Sequence, residues 1–341
     1  MSAALDVELN GATPQIRHLI DEESKVGEAR RQATLLAQRL GFDATAIGRV
    51  AIAATELATN LIKHGGGGEL LIQPVHQADC AQVELLAIDR GPGMADIQRC
   101  LADGYSTAGS AGTGLGAVKR LTYEFDIYSV GSEGTVVVAR LGPDTRKMTL
   151  QGKRFGAVSI PVAGEVECGD GWRLAVRGGD AAIMMVDGLG HGSLAATAAR
   201  AALSAFETAP FDAPREIIER AHRVSAGGRG AAAACAALAS DGTVKYAGVG
   251  NIGGSLVSTE RSQGMVSHGG TLGVTVRRVQ QFDYQRSRGA LTIMHSDGVS
   301  ARWDLKTRPG LLQCHPAIVA AILYRDHARE RDDSTVLVVS A

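Results

Sequence analysis

Between Asp21 and Gly41, apolar residues recur at Val26, Ala29, Ala33, Leu36 and Leu40. That three- and four-residue spacing lines one face of a helix, so a helix is predicted over 22–40, stopping at Gly41. A second helix is predicted over 44–64, ahead of the glycine run Gly65 to Gly68. Strands rich in Leu, Ile and Val follow near 69–75 and 82–88. The segment 89–116 is Gly-rich, with only a short helical stretch near 95–102. Residues 114–122 read as helix, and 125–130 with 135–141 read as a hairpin turned at GSEG.

The pattern changes after residues 141–147, LGPDTRK, which lack periodicity and read as a linker. Beyond it strands dominate: 155–160, 172–177, 181–186, 231–239, 243–249, 252–258, 281–285, 290–295 and 334–339. Two helices, near 193–208 and 213–225, interrupt them. The alanine run 231–237, between Gly230 and the turn Asp241-Gly242, reads as a tightly packed strand. No internal repeat is visible. Two domains are therefore expected, 1–143 and 148–341, in an α+β chain.

Length and composition agree with that division. The chain has 341 residues, enough for two domains that each bury a core. Hydrophobic residues are 45% and charged residues 21%, the profile of a globular protein. With 35 basic and 36 acidic residues, no global field favours nucleic acid or an anionic membrane, and neither is expected as a partner. No apolar run approaches the roughly 18–20 residues of a membrane helix. The opening MSAALDVELN lacks a basic region followed by an apolar one, so no secretory signal is expected. Cys80, Cys100, Cys168, Cys235 and Cys314 are scattered without a CxxC pair. That argues against a disulfide framework or a zinc site and suits the cytoplasm.

Candidate chemistry in the first half starts from an absence: there is no GxxxxGK[ST] loop. The second predicted helix instead carries Glu56 and Asn60 four residues apart, on one face. An Asn there can hold magnesium through its side-chain oxygen, and a Glu one turn away can orient or deprotonate a hydroxyl. Asp89-Arg90-Gly91-Pro92-Gly93 follows a strand, where an Asp can accept from an adenine amino group and glycines let backbone pass close to the base. Gly112-Thr113-Gly114-Leu115-Gly116 opens a helix whose NH groups suit phosphates. Gly134-Thr135 starts a strand.

In this order the pieces resemble the N, G1, G2 and G3 boxes of the GHKL ATPases, which bind ATP in a Bergerat α/β sandwich. ELATNLIKHGGGG and DRGPGMADIQRCLADGYSTAGSAGTGLGAVKRLTYEFDIYS are similar to the RsbT and RsbW type of switch kinase over nearly the whole first domain. The resemblance implies ATP with Mg2+ held by Asn60, Glu56 as base, and Asp89 reading adenine. Gly91, Gly93, Gly112, Gly114, Leu115, Gly116 and Thr135 complete the nucleotide site, with Asp103 to Gly116 as a lid. Such kinases phosphorylate Ser or Thr on STAS-domain antagonists. No dimerisation helix with a phospho-acceptor histidine is visible, and His64 reads as a helix-end residue.

The second half has no GxSxG elbow and no CxxxxxR loop. Its signal is acidic. Asp187 follows the strand AAIMMV, Asp297 follows LTIMHS, Asp332 and Asp333 precede STVLVV, and Asp170 lies in CGDG. Carboxylates at strand ends suit magnesium or manganese, and two such ions about 3.5–4 Å apart can drive in-line displacement at phosphorus. ECGDGW, VDGLGHGSLA, YAGVGNI, HSDGV and RDDSTVLVV resemble the PPM phosphatases of the SpoIIE and RsbX branch, an α/β/β/α sandwich. By that resemblance Asp170, Asp187, Asp297 and Asp332, with the Gly188 carbonyl, hold two Mn2+ or Mg2+. Asp333 is either a supporting group or the ligand in place of Asp332. The arginine and histidine that larger relatives use for phosphate binding and leaving-group protonation have no assigned counterpart. His191 reads as a loop residue or an aid to proton transfer, Asn251 as a site contact or a turn, and His295, Trp172, Met184 and Met185 as core.

Together the halves imply a bifunctional partner-switching regulator acting on STAS-domain antagonists or stressosome-type proteins, with a downstream phosphatase or a sigma-factor regulator as further partners. The alternative is a metal-dependent phosphatase governed by a non-catalytic ATP- or partner-binding module.

Overall fold

The computed structural model describes residues 8–77, 80–101, 114–144 and 154–340. They form two compact units, Gln15–Leu150 and a second made of Met1–Pro14 with Gln151–Ala341. The first described element is a short strand, β1 (Glu8–Asn10), that belongs to the second unit.

The unit Gln15–Leu150 contains β2 (Ile16–Ile20), α1 (Glu23–Arg39), α2 (Ala44–Gly65), β3 (Gly68–Gln77), β4 (Cys80–Ile88), α3 (Ile97–Leu101), α4 (Leu115–Leu121), β5 (Glu124–Ser129) and β6 (Thr135–Leu141). Its sheet runs β2-β3-β4-β6-β5, with every pairing antiparallel. Strand residues two apart share a face, and one face of this sheet meets the helices. Leu70, Ile72, Leu85, Ala87, Val137 and Ala139 pack there with Ala29, Ala33 and Leu36 of α1 and Val50, Ala53, Leu57 and Leu61 of α2. Asp43 caps α2, its carboxylate accepting from the Ala46 amide at 2.7 Å. Such a cap is worth about 1 kcal/mol, and here it fixes where the helix bearing Glu56 and Asn60 begins.

In the second unit, β1 is joined by β7 (Phe155–Ile160), β8 (Asp170–Arg177), β9 (Asp180–Gly188), α5 (Gly192–Thr208), α6 (Pro214–Val224), β10 (Ala231–Leu238), β11 (Thr243–Val249), β12 (Gly253–Val257), β13 (Ser262–Met265), β14 (Gln281–Gln285), β15 (Leu291–His295), α7 (Pro316–His327) and β16 (Ser334–Val339). One antiparallel sheet runs β1-β8-β9-β10-β11-β14 and the other β13-β12-β15-β16-β7. Helices α5 and α6 cover the first, burying Leu203, Phe206, Ile217 and Ile218 against Met184, Val186, Ala233 and Ala247. Helix α7 covers the second, so close to β7 that a Cβ on Gly156 would fall 2.1 Å from the Ala317 backbone. The layers are α/β/β/α. The alanine run forms the central strand β10, between β9 and β11.

Several elements differ from expectation. The first domain was expected to start at residue 1, but Glu8–Asn10 pair with Leu174–Val176 of β8. The Arg173 guanidinium also donates to the Gly11 carbonyl at 2.7 Å. A three-residue strand whose partner lies more than 160 positions away leaves no local pattern. Helix α7 was missed because residues 316–325 are buried all round, so no polar face reveals its period. β2 and the largely exposed β13 were missed as well.

Candidate functional site

The first unit holds a cavity of about 480 Å3 whose walls include Glu56, Asn60, Asp89, Gly93, Gly114, Leu115 and Thr135. Glu56 and Asn60 project from one face of α2, and Ala87 and Val137 add apolar wall from the sheet. The size falls within the range of small-molecule and cofactor sites. Asp89 directly follows β4 and is held by backbone hydrogen bonds. Its Oδ1 accepts from the Gly91 amide at 2.8 Å and the Thr135 amide at 3.0 Å, while its own amide donates to the Thr135 carbonyl at 2.9 Å. Helix α2 reaches this carboxylate directly, since a Cβ on Gly65 would lie 2.7 Å from the Asp89 Cβ. Thus Gly65 lets the helix end press against the Asp that closes the cavity. Gly91 and Gly116 sit behind the wall, against the end of α2 and against the Leu101 carbonyl respectively. Gly112, and the expected lid from Asp103 as far as Thr113, lie outside the described residues.

In the second unit the aspartates gather where the two sheets end. Asp170, first residue of β8, is in register with Asp187 on β9. Like charges directly opposed across an antiparallel pair repel. Burial, then the neighbouring Asp187 carboxylate, raises Asp170 well above the usual carboxylate range. Burial together with Asp297, Asp332 and Asp333 pushes Asp187 up to about 7. Asp297 is raised by burial and Asp332, although Asn251 donates to its Oδ2 at 2.6 Å. Gly188 ends β9, buried beside Ala195 of α5.

Asp332 and Asp333 separate in role. Both Asp333 oxygens are engaged, accepting from the Val162 and Gly169 amides at 2.7 Å each, and its side chain is 2% exposed. It pins the loop that delivers Asp170. Asp332 is half-buried and accepts from the Asp333 amide at 2.9 Å. That division leaves Asp332 the less engaged of the two carboxylates.

Among the described residues, no three His, Cys, Asp or Glu side chains close on a point as a ready-made metal cage. The arrangement nevertheless fits a divalent cation. The Asp170 Oδ2 is buried without any hydrogen-bond partner, and burial and the neighbouring carboxylates raise Asp170 and Asp187 together. Their oxygens are hard donors of the kind magnesium and manganese take.

The residues left open by sequence divide cleanly. Asn251 contacts the site through Asp297. His191 stands at the N-cap of α5, its Nδ1 2.7 Å from Glu165 Oε1. His295 is buried, with Nδ1 2.9 Å from the Ser296 carbonyl and its ring edge-on to Trp303, and desolvation lowers its pKa. Trp172, Met184 and Met185 are core. The sequence left Asp333 open between a supporting group and a ligand without indicating which amides it meets, and the Glu165–His191 pair was not foreseen. Only a doubled Asp and a lone loop Glu marked them in the sequence.

Comparison with known proteins separates the same two parts. Residues 20–141 match the histidine kinase-like ATPase domain family, and residues 177–341 match the stage II sporulation protein E (SpoIIE) family. The chain is 39% identical over 111 residues to the serine/threonine-protein kinase RsbT of Bacillus subtilis (strain 168), covering 33% of this chain and 84% of that protein. A chain from a structure of the bacterial stressosome, described as a modular system adapted to control secondary messenger signalling, aligns at 25% identity with a TM-score of 0.52. That alignment covers 55% of this chain and 98% of the other. RsbX in complex with magnesium aligns at 22% identity and a TM-score of 0.50, over 55% of this chain and 94% of that one, which supports the fold. No helix among the described residues is long and apolar enough to cross a membrane. The chain belongs to the RsbT family of GHKL-type serine/threonine kinases through its first unit, and it joins to that a SpoIIE-type PPM serine/threonine phosphatase domain.

Proposed function

We propose that this chain is a cytoplasmic partner-switching regulator that phosphorylates and dephosphorylates Ser or Thr on STAS-domain antagonists of the stressosome type. The observation that carries the kinase half is the joint placement of Glu56, Asn60 and Asp89 on one cavity, in a unit 39% identical to RsbT. In this reading Asp89, fixed by two backbone amides, accepts from the adenine amino group of the substrate ATP. Gly93, Gly114, Leu115 and Thr135 line the nucleotide, with Gly91, Gly112 and Gly116 shaping its loops. Asn60 would hold Mg2+, and Glu56, one turn away, would take the proton of the attacking hydroxyl.

For the phosphatase half, Asp170, Asp187, Asp297 and Asp332, with the Gly188 carbonyl, are the residues that would hold two Mn2+ or Mg2+. When bound, such ions supply Lewis acidity at phosphate and a nucleophile from water. Asn251 orients the Asp297 carboxylate, and Asp333 fixes the backbone that carries Asp170. A phosphate adds close to two negative charges to an interface, enough to redirect binding of a STAS protein. Two opposed activities on one chain see a shared target at raised effective concentration.

The test is phosphotransfer with a STAS protein from the same genome, ATP and Mg2+, then dephosphorylation with Mn2+. Asn60→Ala should abolish the first and Asp187→Ala the second, each leaving the other. Phosphorylation surviving Asn60→Ala, or phosphate release surviving Asp187→Ala, would refute the corresponding assignment.

A further inference from the structure

Packed on the glycine turn that follows Asp187 is a cation that no assigned role uses. Arg229 lies in the loop Ser225 to Gly230, which joins α6 to β10. Its guanidinium rests on the turn between β9 and α5, where a Cβ on Gly190 would come within 2.8 Å of Nη2. Gly190 also has φ of +85°, a backbone conformation that side chains resist. Arg173, Arg200 and Arg220 of the same unit each pair with a carboxylate. Arg229 is exposed and, among the described residues, its side chain has no hydrogen-bond or ion-pair partner.

A second observation adjoins it. Leu189 and Val274 are 47% and 61% exposed, and both converge on Gly230, each 3.1 Å from where its Cβ would stand. The Leu189 amide donates to the Gly230 carbonyl at 3.0 Å, tying this apolar shelf to the Arg229 loop and to the strand end carrying Asp187. An exposed apolar pair gains about 25 cal/mol for each Å2 that a ligand covers.

We propose that Arg229 and the Leu189–Val274 shelf form a substrate subsite for a phosphoserine segment with an aliphatic neighbour. The guanidinium takes two phosphoryl oxygens in a forked pair, which its planar geometry suits, and the shelf takes the neighbouring side chain. This subsite rests on the phosphatase reading. It supplies the positive charge toward phosphate that the five aspartates do not.

The probes are two phosphoserine peptides differing only in Leu or Gly beside the phosphoserine, p-nitrophenyl phosphate, and inorganic phosphate as inhibitor, all with Mn2+. Arg229→Ala should raise KM for both peptides and Ki for phosphate by about tenfold, the size of a charge-assisted hydrogen-bond pair. Arg229→Lys should recover part of that. Val274→Ser should bring the Leu-over-Gly preference in kcat/KM toward one. A phosphate Ki unchanged in Arg229→Ala, in protein melting like wild type, overturns the clamp. A preference absent in wild type, or untouched by Val274→Ser, overturns the shelf. Wild type inactive on both peptides and on p-nitrophenyl phosphate would instead strike down the phosphatase reading beneath it.

Discussion

Asp187 faces Asp170 across the β8–β9 ladder and feels Asp297, Asp332 and Asp333 as well. Without a cation, ionising it works against the fold. Its folded-state pKa of about 7 lies above the ordinary value of an aspartate, so the folded state favours the neutral acid. The stability this contributes is fully present below about pH 4 and is lost as pH rises through about 7. Asp170, Asp297 and Asp333 are shifted in the same direction. Chelator-treated protein should therefore melt at a lower temperature at pH 8 than at pH 5.5, and Asp187→Asn should flatten that slope. Scanning calorimetry reads both. A melting temperature that rises over this interval would contradict the arrangement of carboxylates.

Among the elements, β6 holds the least expected residue. The strand reads TVVVARL, and Arg140 within it is completely buried. Arg140 pairs with Glu84 of β4 at 2.7 Å and Glu124 of β5 at 3.3 Å, while Gln73 of β3 donates to Glu84 at 2.6 Å. This polar rung crosses four adjacent strands and ties their register to one another. Removing Arg140 takes away the cation that both buried carboxylates share. Arg140→Leu should cost about 3–5 kcal/mol in urea unfolding of the first unit, and adding Glu84→Leu and Glu124→Leu should recover much of it. The rung also shows what sequence conceals. Helices α1 and α2 were legible because one face is buried and the other wet. Strands such as β9 and β16 were legible because an unbroken apolar run ends at a turn. Helix α7 has no wet face, Arg140 looks like a surface residue on an apolar strand, and Arg229 is one basic residue in a glycine loop. The site divides in the same way. Its aspartates stand in recognisable strings, but the difference between Asp332 and Asp333 lies in which backbone amides they meet, and those are distant in the chain.

At the scale of the molecule, both ends of Gln15–Leu150 return to the same unit, so the kinase part is inserted into the phosphatase part. The β1 strand is what makes it an insertion. Leu9 packs against the core between the first sheet and its helices, and the Gly11 carbonyl holds Arg173, which in turn pairs with Glu207 of α5. Deleting residues 1–14 should lower the melting temperature of the phosphatase unit while leaving the fold of Gln15–Leu150 intact. Leu9→Ala alone should cost about 1–2 kcal/mol, below the cost at a fully buried site because Leu9 is only partly buried. Thermal unfolding monitored through Trp172 and Trp303, both in the phosphatase unit, measures the effect directly. An unchanged transition would mean the strand adds nothing to that sheet.

Breaking the chain between residues 144 and 154 would then produce an unusual pair of fragments. The amino-terminal piece carries the whole kinase part together with one strand of the phosphatase sheet. The carboxy-terminal piece presents β8 as an open edge with unsatisfied backbone groups. Produced separately, the two are expected to find each other by strand complementation, so that cleavage at this joint yields a reversible, concentration-dependent assembly rather than two independent enzymes.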